Sequence, residues 1–427
     1  MRLTIEKLVY PGRSLASIDG KVVFTDDGLP GEIVEAEPVG ERKNLVEART
    51  IRIVRPSPER VVPRCAHYRT CSPYQSMAYG AQIEAKRSQL AEILAELPRQ
   101  PEDGIDFVPS PEIWNYRNKA RFTLNREGPT VRFAYNLPGS RDSYVPVEEC
   151  HLVSRPVTEL LAAVLEIIRG GGFRTLSEAE ARVHGAGNGL LLNLFWSAAP
   201  APREIDALVT GLAGRFPLAG IVSLRKAGKG WKETLEWGVG FLEEEIGGTR
   251  YRIGARSFFQ VNVPMLGLVL KDISFRGRFR GAERLVDLYC GVGTFGLALA
   301  GSVKEVLGIE SEGTNIDFLR QNIALNKAPN FKIFEGSAEE WAPTVLSGLV
   351  DAVIFDPPRK GLEPKIVEIL LASPAGRVFY LSCNPTTLAR DLKALSSAYA
   401  LKTVRGYDFF PHTPHIEALA VLERNDR

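Results

Sequence analysis

The sequence predicts an α/β protein in three parts. A doubly wound parallel-sheet domain covers 246–427, an OB-type β-barrel covers 1–58, and a central α+β segment covers 59–245. Three observations carry this reading. From Leu285 onward, short apolar runs alternate with amphipathic stretches, the βαβ rhythm of a sheet with helices on its faces. Residues 1 to about 55 show short alternating runs broken by turn residues instead. And 427 residues are too many for one core.

In the N-terminal part, Leu3–Leu8 is followed by Pro11-Gly12, and Lys21–Phe24 ends at Asp26-Asp27-Gly28. Glu32–Glu37 and Val46–Ile53 complete a set of short strands. This spacing suits a small closed barrel, a type that commonly binds nucleic acid, although any small β-module gives the same pattern. Next come Cys65 and Cys71, then an amphipathic helix from about Ala78 to Leu97 with Ile83, Leu90, Ile93, Leu94 and Leu97 on one face. Two cysteines so close ahead of a helix suggest a metal or cluster clip, with Cys150, followed by His151, as a distant third ligand. Two loop cysteines and one core cysteine are the plain alternative.

The central segment has strand-like runs at Lys119–Leu124, Leu190–Trp196 and Ile221–Leu224, and a helix over Pro202–Phe216. Asn115–Phe122 interleaves cations with aromatics, which suits phosphates and unpaired bases; a half-exposed strand would look the same. The basic, glycine-rich stretch Arg225–Lys232 reads as a solvated hairpin rather than a binding loop.

In the C-terminal part, Leu285–Cys290 is a strand, Gly291–Gly296 a turn opening a helix, and Glu305–Glu310 the next strand. Asp351–Asp356 is a later strand stopped by Pro357-Pro358. Val378–Leu381 is another, and Cys383 lies just past its carboxyl end, where open α/β sheets bind ligands.

Composition narrows the function classes. Hydrophobic content of 44% and charged content of 24% are those of a globular protein, and a net charge of +2 requires any RNA-binding charge to be local. No apolar run is long enough to span a bilayer, and the N-terminus lacks the apolar core of a signal peptide. Five cysteines without an export signal favour free thiols, metal or catalysis over disulfides, and a cytoplasmic location is expected. No internal repeat, low-complexity tract or obligate protein partner is evident.

The loops carry the chemistry. Gly291-x-Gly293-x-x-Gly296 after a strand, with Glu310 ending the next, is a nucleoside-binding arrangement that fits NAD as well as S-adenosylmethionine. Asp356-Pro357-Pro358-Arg359 favours the methyl donor, because an acid-Pro-Pro tetrad has no use in a dinucleotide enzyme. In amino-group methyltransferases the fourth residue is usually aromatic, so Arg359 speaks against an amine target. The tetrad and Cys383 together point to carbon methylation of a pyrimidine. C5 of uracil is a poor nucleophile; thiolate addition at C6 makes it enolate-like, and a base must then remove the C5 proton. Glu417, entering the apolar strand Ala418–Leu422, is a plausible base, although a glutamate there also suits a cap or an ion pair.

These motifs are where the chain resembles a family, the S-adenosylmethionine-dependent RNA uracil-5 methyltransferases, which make 5-methyluridine in tRNA and rRNA. The resemblance spans nearly the whole length and rests on Phe258–Asn262, Asp287–Gly293, Asp356–Arg359, Ser382–Pro385 and Pro411–Glu417. It implies a TRAM-like N-terminal barrel, a central RNA-binding insert and a Rossmann-like methyltransferase domain. It makes Cys383 the nucleophile and Glu417 the base, and it assigns Gln260, Tyr289, Glu310 and Asp356 to the methyl donor, with Gln260 and Asp356 also near the target uracil. It implies RNA as partner, with rRNA, specifically 23S rRNA, preferred over tRNA because of the TRAM-like module; no membrane is involved. A tRNA uridine methyltransferase and a non-catalytic RNA-binding member are the alternatives. Relatives with a [4Fe-4S] cluster have Cys-x5-Cys-x2-Cys and a distant fourth cysteine. Cys65, Cys71 and Cys150 match, but Tyr74 stands in the third place, leaving a cluster one thiolate short. The options are no cluster, a three-iron cluster, one completed by a residue such as His67, or zinc.

Overall fold

The computed structural model describes residues 1–128, 130–136, 143–183, 185, 189–228 and 230–425. They form two units. One comprises Met1–Pro111, Pro358–Leu362 and Tyr380–Arg427; the other comprises Glu112–Pro357 and Glu363–Phe379. The expectation of an α/β protein with a Rossmann-like part, an OB-type N-terminal module and an α+β insert is met. No helix among the described residues is long and apolar enough to cross a membrane.

In the first unit, strands β1 (Arg2–Thr4), β2 (Lys7–Val9), β3 (Arg13–Ile18), β4 (Lys21–Thr25), β5 (Ile33–Arg42) and β6 (Leu45–Arg55) form a six-stranded half-barrel in the order β1-β5-β6-β4-β3-β2. Alternate residues point inward, as the sequence alternation demands. Leu3, Ala16, Val23, Val34, Ala36, Val46 and Ala48 meet in its core. Between β2 and β3, Gly12 takes φ +94°, and a Cβ there would lie 2.5 Å from Pro414 Cβ, so only glycine fits. This close approach ties the β2–β3 turn to the loop leading to Glu417.

The helix Tyr79–Leu94 follows, but its buried face is not the expected apolar stripe. Gln82, Lys86 and Gln89 are buried beside Leu90 and Leu94, while Ile83 and Ile93 are half-buried. The polar residues are inside because they have partners. Lys86 Nζ pairs with Asp408 at 2.6 Å, both side chains wholly buried, and also donates to the Phe410 carbonyl at 3.0 Å. Tyr79 donates its hydroxyl proton to Asp408, and Gln82 Oε1 accepts the His412 N–H, each at 2.9 Å. A helix face that would otherwise seek apolar cover thus grips the segment from Asp408 to His412. The remaining strands of this unit run in the order Arg377–Ser382 (from Tyr380), Glu417–Arg424, Tyr399–Tyr407, Ile105–Val108.

In the second unit, a seven-stranded mixed sheet runs Tyr144–Pro146, Thr130–Asn136, Lys119–Glu127, Leu176–Val183, Leu190–Trp196, Leu218–Ala227, Gly230–Gly238. Helices Arg155–Arg169 and Pro202–Leu212 contribute Val157, Leu160, Val164 and Leu208 to its main core. The last two strands are a hairpin, as read from Arg225–Lys232, with Arg225 opposite Lys232; Lys229 lies outside the described residues. The parallel strands run Phe331–Glu335, Glu305–Glu310, Arg284–Leu288, Ala352–Phe355. Strand order reverses beside Arg284–Leu288, and a crevice at the carboxyl ends there is where such sheets bind ligands.

Candidate active site

At that reversal the turn after Arg284–Leu288 is made by unusual backbone. Tyr289, Gly291 and Gly293 take φ of 66°, 59° and 92°. Glycine adopts such values freely, whereas a tyrosine held there is strained, a mark of functional constraint. Asn322 locks the turn: its Nδ2 donates to the Val292 carbonyl at 3.0 Å and the Arg252 carbonyl at 3.1 Å, and its Oδ1 accepts the Arg252 N–H at 2.6 Å. Glu310 Oε2 accepts the Gly291 N–H at 2.9 Å, while its Oε1 accepts from Ser311 and Glu312. The glutamate at the end of the second strand is thereby fixed over the glycine turn.

Asp356 ends the strand Ala352–Phe355, and Gln260 Nε2 stands 3.5 Å from its Oδ2, the outer limit of a hydrogen bond. Asp287 is a site residue that sequence reasoning passed over. It is buried, its Oδ2 accepts the Gly296 N–H at 2.8 Å, and its Oδ1 has no partner among the described residues. Burial, then the Asp356 and Glu310 charges, push its carboxyl up to about 7. Burial also raises Asp356 to about 7, against the Gln260 hydrogen bond. An acid inside the apolar run Leu285–Leu288 was the available signal. Gln260, Glu310, Asp356 and Asp287 thus surround the glycine turn with acceptors, and the space where a Gly291 Cβ would point is open. These groups fit S-adenosylmethionine, whose hydroxyls and amine need acceptors and whose sulfonium favours nearby carboxylates.

The reacting groups of the sequence reading lie in the other unit. Cys383 follows the strand Arg377–Ser382 and is partly exposed. Asn384 caps the helix Pro385–Leu395, accepting the Thr386 N–H, and its Nδ2 donates to the Arg359 carbonyl at 3.0 Å. Thr387 Oγ1 donates to the same carbonyl at 3.3 Å, so Arg359 is held against the residues after Cys383. Glu417 opens the neighbouring strand Glu417–Arg424 and is 2% exposed. Tyr10, on the turn fastened by Gly12 and Pro414, feels all three: burial raises its phenol, the Arg359 charge opposes, and Cys383 and Glu417 add to the rise. Tyr10 was not singled out from the sequence, because its neighbours are about 350 to 400 residues away along the chain.

The iron-sulfur option is not supported. Among the described residues no group of three His, Cys, Asp or Glu side chains is placed to hold a metal. Cys65 is buried and accepts from Gln75 Nε2 at 3.4 Å; the same side chain's Oε1 accepts the Arg64 and Cys65 N–H groups. Cys71 lies 3.4 Å from Ser72 Oγ. Cys150, in the other unit, belongs to the core of the seven-stranded sheet. Tyr74, in the third-ligand place, packs with Leu8, Leu29 and Met77 and accepts from Gln89 at 2.9 Å. Side-chain amides and an aromatic ring close this loop where a cluster would.

Comparison with known proteins agrees with the geometry. A family profile described as tRNA (Uracil-5-)-methyltransferase matches residues 245–425. An uncharacterised RNA methyltransferase of Halalkalibacterium halodurans is 31% identical, over 99% of this chain and 96% of its own. Another, of Gloeobacter violaceus, is 33% identical over the same shares. The crystal structure of Pyrococcus abyssi tRNA (uracil-54, C5)-methyltransferase in complex with S-adenosyl-L-homocysteine superposes with a TM-score of 0.76 at 26% identity, covering 99% of this chain and all of that one. With relatives above 30% identity along its full length, and the glycine turn, the Asp356 tetrad and Cys383 in place, the chain belongs to the S-adenosylmethionine-dependent RNA uracil-5 methyltransferase family.

Proposed function

We propose that this protein methylates C5 of a uridine in RNA through a transient Cys383–uracil bond. The observation that carries this is the pairing of a reachable thiol, Cys383, with a buried carboxylate, Glu417, on neighbouring strands, both near enough to Tyr10 to act on its phenol. S-adenosylmethionine, held by Gln260, Tyr289, Glu310 and Asp356, supplies an electrophilic methyl group when bound. The Cys383 thiolate forms a bond to C6, and the electron pair of the C5–C6 double bond moves to C5 and the adjoining carbonyl. C5 in this form takes the methyl group. Glu417 then removes the C5 proton, the double bond re-forms, and the C6–sulfur bond breaks to return the thiolate. A base within a duplex would have to flip out for Cys383 to reach it.

The half-barrel and the cation-rich start of the strand Lys119–Glu127 support RNA as the substrate. Our reading prefers 23S rRNA, on the strength of the N-terminal module. The Pyrococcus abyssi enzyme named for tRNA matches this chain over 99% of its length, module included, and that favours tRNA as the second reading. The test is methyl transfer from labelled donor to separated rRNA and tRNA, followed by mapping of 5-methyluridine. Product in rRNA supports the first reading and product in tRNA the second. Label on any other base, or none in parent protein that binds donor, contradicts both.

A further inference from the structure

Resting on the reading that the substrate is RNA, we propose that Lys119, Arg182 and Ser257 form a seat for one phosphate of the RNA backbone. The seat begins with register. In the strand Leu176–Val183, Glu178, Glu180 and Arg182 fall on one face, and pairing with the strand Lys119–Glu127 sets Arg182 opposite Lys119 and Glu180 opposite Arg121. Like charges placed directly across a strand pair repel, so Lys119 and Arg182 call for an anion. The protein does not supply one in full. Arg121 has its own partner, Glu178, and stacks over Phe195. Glu180 lies near both cations but ion-pairs with neither, and its Oε1 accepts from Asn193 Nδ2 at 3.0 Å.

The donors of this seat are left over. Arg182 is 3% exposed; its Nη2 donates to the Ser257 carbonyl at 3.0 Å, whereas its Nη1 is buried without a partner among the described residues. The Ser257 hydroxyl, at the same point, is also buried without a partner. The Lys119 side chain makes no hydrogen bond or ion pair among the described residues. Buried donors are seldom left unmet, and a planar guanidinium, an ammonium and a hydroxyl together match a tetrahedral oxyanion. Burial and then Arg182 push Lys119 down to about 8, the behaviour of a cation short of a counter-ion.

The location suits the substrate. The Asn118 N–H donates to the Val261 carbonyl at 3.0 Å, which sets Lys119 beside the segment bearing Gln260. Phe258, next to Ser257, is 64% exposed and offers a surface on which a base can stack. Arg117 and Arg121 extend the positive field along the strand, which serves a polyanion better than the single carboxylate of a methyl donor.

The test uses the full chain, a fluorescent single-stranded oligouridine RNA and a series of salt concentrations. Lys119→Gln is expected to weaken RNA binding about tenfold at low salt. It should also lower the slope of log K against log salt by about 0.7, the loss of one phosphate contact. Lys119→Met, which keeps the apolar stem, should match it, and Lys119→Arg should restore both quantities. S-adenosylhomocysteine affinity should stay at the parent value, and that same measurement shows each variant to be folded. Unchanged RNA affinity and slope in both neutral variants would overturn the seat. So would a fall in S-adenosylhomocysteine affinity with RNA binding intact, which would give the cations to the donor's carboxylate. The assay needs no turnover, so failure of the parent to methylate RNA would sink the functional reading without deciding this one.

Discussion

Two cysteines each stand just past the carboxyl end of a strand, and they differ in access: one is sealed, the other partly exposed. Cys290 follows the strand Arg284–Leu288, is 2% exposed, and is packed where a Gly308 Cβ would come within 3.0 Å of its sulfur. Burial, with Asp287 and Glu310 adding to it, pushes its thiol well above the ordinary cysteine value. Cys383 follows the strand Arg377–Ser382, is partly exposed, and has the Arg359 backbone bound to the next residue. The topological address is the same. Packing and carboxylates push one thiol up and close it off; the other is open to approach.

The largest effect is expected at Cys383. Cys383→Ala is expected to lower methyl transfer by about 10⁴-fold or more, measured as labelled methyl in RNA, because no other group can activate C5. Cys290→Ala should still form a covalent complex with 5-fluorouridine RNA; a complex lost from Cys290→Ala and kept in Cys383→Ala would reverse the assignment. Glu417→Gln comes next. It should cut turnover by roughly 10²–10⁴-fold and let the RNA–protein complex accumulate with ordinary uridine, since the C5 proton then stays in place. Gel-shift under denaturing conditions reads this, and an unchanged rate would remove Glu417 from the base role.

The third expectation concerns what holds Glu417. Lys86→Met leaves Asp408 buried without its cation, and should lower unfolding free energy by about 3–5 kcal/mol in urea titration. A loss below about 1 kcal/mol would mean that the pair is not part of the scaffold. The smallest effect is at Asp287. Its folded pKa lies above the ordinary 3.8, so the stability it contributes is fully present below about pH 4 and lost as pH rises through about 7. Asp287→Asn keeps an acceptor for Gly296 and removes this dependence. Its stability should therefore gain on the parent's between pH 4 and pH 8, read as a widening difference in thermal midpoint. A constant difference across that range would place the Asp287 pKa near its ordinary value.

Much of this was legible in the chain, and the reasons differ by region. The parallel strands, the glycine turn and the position of Cys383 follow from local patterns: apolar runs, a glycine spacing and a proline stop. The buried face of the helix Tyr79–Leu94 was not legible. Lys86 and Gln82 read as solvent-facing until their partners, more than three hundred residues away, are in place. Tyr10 was hidden for the same reason, since Gly12 and Pro414 meet only in the folded chain. At the cysteines, spacing left the choice open. Cys65 and Cys71 keep a metal-site interval, yet Gln75 satisfies the loop, and a buried Tyr74 occupies the third place. Spacing proposes ligands; only packing shows whether the loop still needs them.

The most direct test of the account is mass spectrometry of the protein incubated with S-adenosylmethionine and RNA carrying 5-fluorouridine. Fluorine at C5 cannot leave as a proton, so the reaction should stop with RNA bonded to sulfur and the methyl group already transferred. One such peptide, containing Cys383, is expected, and none in Cys383→Ala. A modified Cys290 peptide, or methylated RNA formed without any bonded intermediate, would contradict it.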